Sequence, residues 1–567
     1  MLIARPRIRL AHSADRRPAH LRRGSGLDAA FAAVHLLRKA ETSERPEAMA
    51  SPLTVREAVL AFLRAQGMRH VFGNPGSTEL PLFRGFPEDF HYVLGLQESV
   101  VIGLADGYAQ ATGGPAFINL HSAAGTGHAM GAIFTAFKNR TPLIVTAGQQ
   151  ARSLLLHDPF LYSHRPTELV QPYVKYAVEP ARAADVPQAI ARAWFQAMTY
   201  PRGPVFVSIP ADDWDQPADA VPHRIAPAMP GAGGIDTLRQ AFAAAERPVI
   251  VVGGEVDRDG AWQAVVDLAE RTGAPVWHSP LEGRVGFPQN HASFEGVLPA
   301  DPAGVVRTLG KHDLILAIGT RAFTFHVEGP RPYAPPHARL ILLGTDPEHG
   351  AAAPSGEAII AGIAPTIAAL LADAPPRPAP RPAKAPPALP DGNGRITTEA
   401  LVAAVARARK PGSPVVEEAP TARGPIAIHL PIDTPGTFFT CASGGLGFGL
   451  PGAVGVAMAR PDERTVALIG DGSAMYTVQA LYSAAREQAN VTFIIINNRR
   501  YAALDGFAAH FGLNSVLGTD LDGLDFVKIA EGQGVPSARV DDPAALDEAI
   551  RAALAVTGPF LLDVGVA

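Results

Sequence analysis

The stretch ALIGDGSAMYTVQALYSAAREQANVTFIIINN, residues 467–498, decides the fold. An apolar run ends at Gly470-Asp471-Gly472, a helical stretch follows, and a second apolar run ends at Asn497-Asn498. Strand, helix and strand at this spacing predict a parallel pair. Asp471 and Asn498 then project at the carboxyl edge of neighbouring strands, where open α/β sheets bind their ligands. Gly472 lets a phosphate approach the backbone, and the N-terminus of the following helix offers it free N–H groups. One carboxylate, one amide oxygen and a diphosphate suit an octahedral, oxygen-ligated Mg²⁺. A GDG alone marks little more than a turn; GDG, a helix and a terminal NN together are specific.

Outward from this unit the same alternation fills the chain. Upstream in the third block lies SPVVEEAP and downstream PFLLDVGV. An earlier block carries RPVIVVGGEV, APVWHSP, DLILAIGTRAF and ARLILLGTDP, and the first carries HVFGNPGS, HYVLGLQE, PAFINLHSAAG and PLIVTAG. Strands alternating with helices imply parallel sheets covered on both faces. We therefore expect three doubly wound α/β domains, at 49–231, 232–373 and 396–567. Between the last two, 374–395 reads as an extended linker, because 374–390 alone holds eight prolines. Thr54 and Glu57 form a capping box (T-x-x-E) ahead of Val55, Val59, Phe62 and Leu63, with Gly67 closing the helix. Residues 1–48 differ: the first 40 hold eight Arg and one Lys against two Asp. A transit peptide has this composition, but Met49 opens an ordinary domain start, and we expect 1–48 to be a disordered arm or a non-native extension.

Composition narrows the class. At 567 residues the chain suits three or four domains. Charged residues are 18%, below the roughly 25% of an average globular chain, so each domain can bury a sizeable core. No apolar run reaches the ~18–20 residues of a membrane span. A net charge of −5 gives no basic field for nucleic acid. The single cysteine, Cys441, excludes an intrachain disulfide and any multi-cysteine metal site. A cytoplasmic protein whose partner is a small molecule, neither nucleic acid nor membrane, is the expectation.

The GDG…NN unit resembles the diphosphate-binding motif of thiamine diphosphate (ThDP) enzymes. That resemblance implies that Asp471, Asn498 and the backbone carbonyl of Arg500 ligate Mg²⁺. It also places Gly472 and Ser473 on the diphosphate, with Tyr501 and Thr421 among the cofactor contacts. CASGGLGFGLPGAVG (441–455) is similar to the family's second motif. There a carbonyl near Gly444 meets the pyrimidine amino group, and Leu446 is the apolar wedge that bends the cofactor. ThDP must lose the proton from its thiazolium carbon, and a carboxylate against the pyrimidine promotes this. Glu98, between the strand HYVLGLQ and the helix ESVVIGLADGYA, takes that role. A Glu opening a helix is ordinarily a dipole-matched acid; the downstream motif gives it the functional reading.

FGNPGSTELP (72–81), LQESVVIGLADGYAQATG (96–113) and FINLHSAAGTGHAMGA (117–132) resemble the benzoylformate decarboxylase branch of the family, and the similarity runs over essentially all of 49–567. By that resemblance Ser77 hydrogen-bonds the substrate carboxylate, and His121 faces the reacting carbonyl. His326, in GTRAFTFH, is the second active-site histidine. Decarboxylation of a 2-oxo acid develops alkoxide charge and then needs a general acid and a base, for which histidines suit. Phe160, Leu161, Thr440, Cys441, Ala503, Leu504 and Phe507, with Ser77, are the expected pocket. In this family the cofactor spans two domains from different subunits, which implies at least a homodimer and points to a homotetramer.

Some segments depart from the pattern. In EEAPTARG (417–424) Pro420 lacks an N–H and Ala419 a hydroxyl, leaving Thr421 as the side-chain donor to the diphosphate. Arg499 and Arg500 replace small residues and should make the metal loop more positive. Thr440 stands where an aromatic is expected, and Phe160 where Leu is usual. The leading expectation is a ThDP- and Mg²⁺-dependent decarboxylase of 2-oxo acids with an aryl or bulky apolar side chain. The alternatives are a ThDP carboligase similar to acetohydroxyacid synthase, and a non-catalytic ThDP-binding protein.

Overall fold

The computed structural model describes residues 53–372 and 387–567. The N-terminal extension 1–48 and most of the proline-rich 374–390 lie outside the described residues. Helix α1 (Val55–Ala65) opens on the capping box, with the Thr54 N–H donating to Glu57 and the Glu57 N–H to the Thr54 hydroxyl. Leu53–Thr54 pairs antiparallel with Pro217–Ala218, tying the start of the first domain to its end.

The first domain's sheet consists of β1 (His70–Gly73), β2 (His91–Leu94), β3 (Ala116–Leu120), β4 (Leu143–Gln149), β5 (Ala177–Val178) and β6 (Val205–Pro210). All are parallel, in the order β2-β1-β3-β4-β6-β5. Helices α2 (Glu98–Thr112) and α3 (Ser122–Asn139) follow β2 and β3. The central sheet runs β9-β8-β7-β10-β11-β12, from β7 (Pro248–Val252), β8 (Val276–His278), β9 (Phe294–Val297), β10 (Leu314–Ile318), β11 (Arg339–Gly344) and β12 (Glu357–Ile360). The third contains β13 (Val415–Glu418), β14 (Phe438–Thr440), β15 (Thr465–Gly470), β16 (Val491–Asn497), β17 (Ser537–Val540) and β18 (Phe560–Gly565). Its order, β14-β13-β15-β16-β18-β17, repeats that of the first sheet. In both, the strand order reverses between the first and third strands. That reversal opens a crevice at the carboxyl edge.

Central strands such as Ala116–Leu120, Leu314–Ile318 and Val491–Asn497 are buried at every position. Sheets covered on both faces need such unbroken apolar runs. Every apolar run quoted above became a strand. The strands without a strong sequence signal are short and at or near sheet edges: Ala177–Val178, Phe294–Val297, Glu357–Ile360, Phe438–Thr440 and Ser537–Val540. Apart from the largely buried Phe438–Thr440, which is only three residues long, these strands are partly open to solvent and carry mixed residues. No helix among the described residues is long and apolar enough to cross a membrane.

The first and third domains are joined by α2 and α4 (Gly449–Ala459), which meet backbone to backbone. A Cβ on Gly107 would lie 2.1 Å from the Gly452 carbonyl oxygen, and one on Gly455 would lie 2.0 Å from that of Leu104. Only hydrogen fits at either position. Beside this contact the buried Asp106 of α2 accepts from Thr141 Oγ1 (2.5 Å), Gln110 Nε2 (2.9 Å) and Asn139 Nδ2 (3.1 Å). Burial pushes its carboxyl up to about 6 against these hydrogen bonds. Asn139 Oδ1 in turn accepts from Ala442 N at 2.9 Å, inside the loop that carries Gly444 and Leu446. Gly107→Ala should therefore cost about 1–3 kcal/mol, the usual range for overpacking, read as a lower midpoint in denaturant. A midpoint equal to that of the parent chain would contradict the backbone contact.

Candidate active site

Three groups stand at the carboxyl edge of the first sheet. Ser77 follows β1, is exposed, and makes no hydrogen bond among the described residues. Glu98 is the first residue of α2, behind an N-cap Gln97 that accepts from the amides of Ser99 and Val100. Its carboxylate lies 3.2 Å from His128 Nδ1 and packs against the α-carbon of Gly125. His121 joins β3 to α3, and Ser122 after it takes a left-handed φ of 50°, a strained turn for a non-glycine residue. Gly125 donates its N–H to the His121 carbonyl (2.9 Å), so one glycine touches both Glu98 and His121.

His121 has a partner that the sequence did not disclose. Its Nδ1 lies 2.8 Å from Glu79 Oε2 and 3.1 Å from Thr78 Oγ1. Glu79 is fully buried and also accepts from Gly76 N (3.0 Å), Gly148 N (3.0 Å) and Thr78 Oγ1 (2.6 Å). Its letter sits inside GSTEL two places after Ser77, with no spacing to mark it as buried.

The third sheet's edge carries the second group. Register pairs Gly470 with Ile496, so Asp471 and Asn498 leave adjacent strands side by side. Asp471 is buried, and its Oδ1 accepts from Gly472 N at 2.7 Å. Its Oδ2 is buried without a hydrogen-bond partner. Burial raises the carboxyl above its ordinary range, while nearby amides of Gly472, Arg499 and Arg500 pull it down. An unsatisfied buried carboxylate oxygen is costly unless something ligates it, and beside an amide side chain this donor set fits a hard divalent cation. Gly472 has no room for a Cβ, which would lie 2.2 Å from the Tyr501 ring. Ser473 is buried beside them.

Glu418, at the end of β13, shapes the neighbouring loop. It is fully buried and accepts from the amides of Gly447 (2.9 Å), Phe448 (3.0 Å) and Gly449 (3.0 Å), where α4 begins. Burial pushes it up to about 7 against those three donors. Gly444, at φ +75°, and the partly buried Leu446 lie in the loop so held. Cys441 points inward and donates to the Gly445 carbonyl (3.1 Å), and burial lifts its thiol to about 11. That is a packing environment, unlike the electropositive setting of a reactive thiolate.

The central domain adds His326, exposed in the loop after β10 and held by its N–H to the Ala300 carbonyl (2.8 Å). Its ring meets the Phe507 ring edge-on at 4.7 Å, over a cavity of about 390 Å³ that His510 and Phe511 also line. Ala503 and Leu504 open the same short helix as Phe507.

Phe160 is 88% exposed and makes no ring contact among the described residues, and Leu161 beside it has a φ of 64°. Thr421 is exposed, and the Ala419 amide is already committed to Glu417 Oε1 (2.6 Å). Thr440 does not present a wall. Its hydroxyl donates to the buried Glu417 (2.7 Å), which Arg423 also pairs at 3.1 Å. The expected positive charge at Arg500 is compensated, because its guanidinium pairs with Asp505 (2.9 Å) and Asp520 (3.6 Å). Two acids ending an apolar strand, VVEE, were the available signal for Glu417 and Glu418. Glu98 and His121 make no hydrogen bond to the Asp471 or Gly444 segments among the described residues.

Comparison with known proteins fits this division. The family models for the thiamine pyrophosphate enzyme N-terminal TPP binding domain, central domain and C-terminal TPP binding domain match residues 53–168, 235–370 and 422–564. Benzoylformate decarboxylase of Pseudomonas aeruginosa is 41% identical over 519 residues, covering 90% of this chain and 98% of that protein. The acetolactate synthase isozyme 3 large subunit of Escherichia coli is 27% identical, over 88% of this chain and 92% of its own. The solved structure of a thiamine diphosphate-dependent 4-hydroxybenzoylformate decarboxylase from Rhodococcus jostii superposes with a TM-score of 0.87 at 40% identity, covering 91% of this chain and 99% of the other. Matched along its three sheets and at the loops that close them, the chain belongs to the thiamine pyrophosphate enzymes, as a homologue of their benzoylformate decarboxylase lyases.

Proposed function

We propose that the chain is a Mg²⁺- and ThDP-dependent decarboxylase of 2-oxo acids bearing an aryl or bulky apolar side chain, releasing an aldehyde and CO₂. The observation that carries this reading is the edge-on contact of His326 with Phe507. An acid/base group and an apolar aromatic surface meet at one cavity. Asp471, Asn498 and the Arg500 carbonyl would hold Mg²⁺, and Gly472 and Ser473 the diphosphate. ThDP, when bound, supplies a carbon nucleophile and an electron sink for the pair left by departing CO₂.

The residues divide the remaining work. Ser77, with its hydroxyl free, orients the substrate carboxylate by donating to it. Glu98, held against Gly125, supplies the carboxylate for the pyrimidine end of the cofactor. His121 delivers a proton to the oxygen where alkoxide charge develops, and His326 serves proton transfer as the aldehyde forms. Leu504 and Phe507 receive the substrate side chain and exclude water from it. We further propose that the working form is at least a homodimer. Supporting this, α2 and α4 of one chain pack antiparallel, Leu104 on Gly455 and Gly107 on Gly452. That leaves Glu98 and the Gly444 loop at opposite ends of the contact, each in want of the other half from a second copy.

Similarity to acetolactate synthases keeps a carboligase as the second reading, and product identity separates the two. Incubated with ThDP, Mg²⁺ and a panel of 2-oxo acids, the chain should release CO₂ and aldehyde fastest from benzoylformate-like substrates; a 2-hydroxyketone as the main product would favour carboligation instead. Glu98→Gln should lower kcat by about 10²–10⁴-fold, the range for a lost proton-transfer group, with circular dichroism unchanged. Full turnover in that variant would refute the assignment of Glu98.

A further inference from the structure

We infer that Glu79 is the positioning residue of the active-site histidine, fixing the tautomer and ring plane of His121 so that Nε2 alone exchanges the proton. The inference rests on the reading of His121 as an acid/base group. It follows from counting donors. Glu79 already accepts two backbone amides, from Gly76 and Gly148, and a carboxylate offers only acceptors. Thr78 spends its one hydroxyl hydrogen on Glu79 Oε1 at 2.6 Å. The Thr78 oxygen, 3.1 Å from His121 Nδ1, can therefore only accept there, as can Glu79 Oε2 at 2.8 Å. The hydrogen between them belongs to Nδ1. With Nδ1 protonated, the neutral ring carries its lone pair on Nε2, and the charged ring carries its transferable proton there.

The surrounding backbone is built around this pair. A Cβ on Gly76 would fall 2.1 Å from His121 Nδ1, and one on Gly148 would fall 2.0 Å from Glu79 Oε1. Both glycines lie on loops or strand ends of the first sheet, and both leave room for the two side chains and donate their N–H to the carboxylate. Thr78, Glu79 and the Gly148 amide are buried, so the carboxylate has no solvent partner to turn toward. A carboxylate behind an imidazole orients the base without touching substrate.

A double-mutant cycle tests this on the full-length holoenzyme. Glu79→Gln should lower kcat by about 10²-fold, within the range of acid–base effects, with KM little changed and ThDP still bound. In the His121→Ala background the same substitution should cause no further loss, because its only route of action is gone. Losses that multiply in the double variant, or a fully active Glu79→Gln, would overturn the inference. Full activity of His121→Ala alone would instead overturn the reading on which it rests. Should Glu79→Gln fold poorly, ¹⁵N-histidine spectra of the parent chain, with His121 assigned from His121→Ala, decide the matter independently. A neutral ring protonated at Nδ1 supports the inference, and one protonated at Nε2 defeats it.

Discussion

Backbone-to-backbone contact between α2 and α4 sets everything else: the helices run antiparallel, with Gly107 on Gly452 and Leu104 on Gly455. The Glu98 half and the Gly444 half that one chain carries therefore stand at opposite ends of the contact. Glu98 opens α2, and the loop holding Gly444 and Leu446 feeds α4. Hydrogen atoms at Gly107 and Gly455 let the two axes approach where any side chain would collide. The first and third domains are thereby fixed in one relation, with sheets of identical strand order. Asp106 and Asn139 extend the same fixation from α2 to the Ala442 amide.

Around that frame, buried carboxylates do the orienting. Glu79, Asp106, Glu417 and Glu418 are each nearly or wholly inaccessible, and each accepts from three or more donors. Burying a carboxylate costs heavily unless its lone pairs are met, so each one specifies a local geometry. Asp471 is the exception. Glu255 Oε2 and Asp346 Oδ2 also lack a hydrogen bond but face His349 and Arg140, whereas Asp471 Oδ2 has neither a hydrogen bond nor an ion pair among the described residues. One open acceptor among several satisfied ones marks where a ligand's charge belongs.

Much of this was legible in the letters. GDG, a helical stretch and NN placed Asp471 and Asn498 on adjacent strand ends, because a helical crossover between parallel neighbours allows little else. The single helix expected there is two short ones, Asp471–Ala474 and Ala480–Arg486. Unbroken apolar runs named the central strands, apart from the fully buried Val205–Pro210, which was passed over although VFVSIP carries the same signal. Edge strands such as Glu357–Ile360 were illegible, since half-exposed segments carry no distinctive period. Glu79 was hidden, because nothing in GSTEL says that an acid turns inward, and Glu418 was marked only by its place among the two acids that end VVEE. Their partners are backbone amides at distant positions, Gly148 and Gly447 among them, that only the folded chain brings near. The charge of Arg500 was misjudged for the same reason: Asp520 is 20 residues away in sequence and opposite it in space.

Calorimetric titration of the metal-free chain with ThDP measures most directly whether the third sheet's edge is a metal-assisted diphosphate site. With Mg²⁺ present, one ThDP should bind per chain, and chelation or Asp471→Asn should weaken that binding by orders of magnitude. ThDP bound equally well in EDTA, or unaffected by Asp471→Asn, would contradict the assignment.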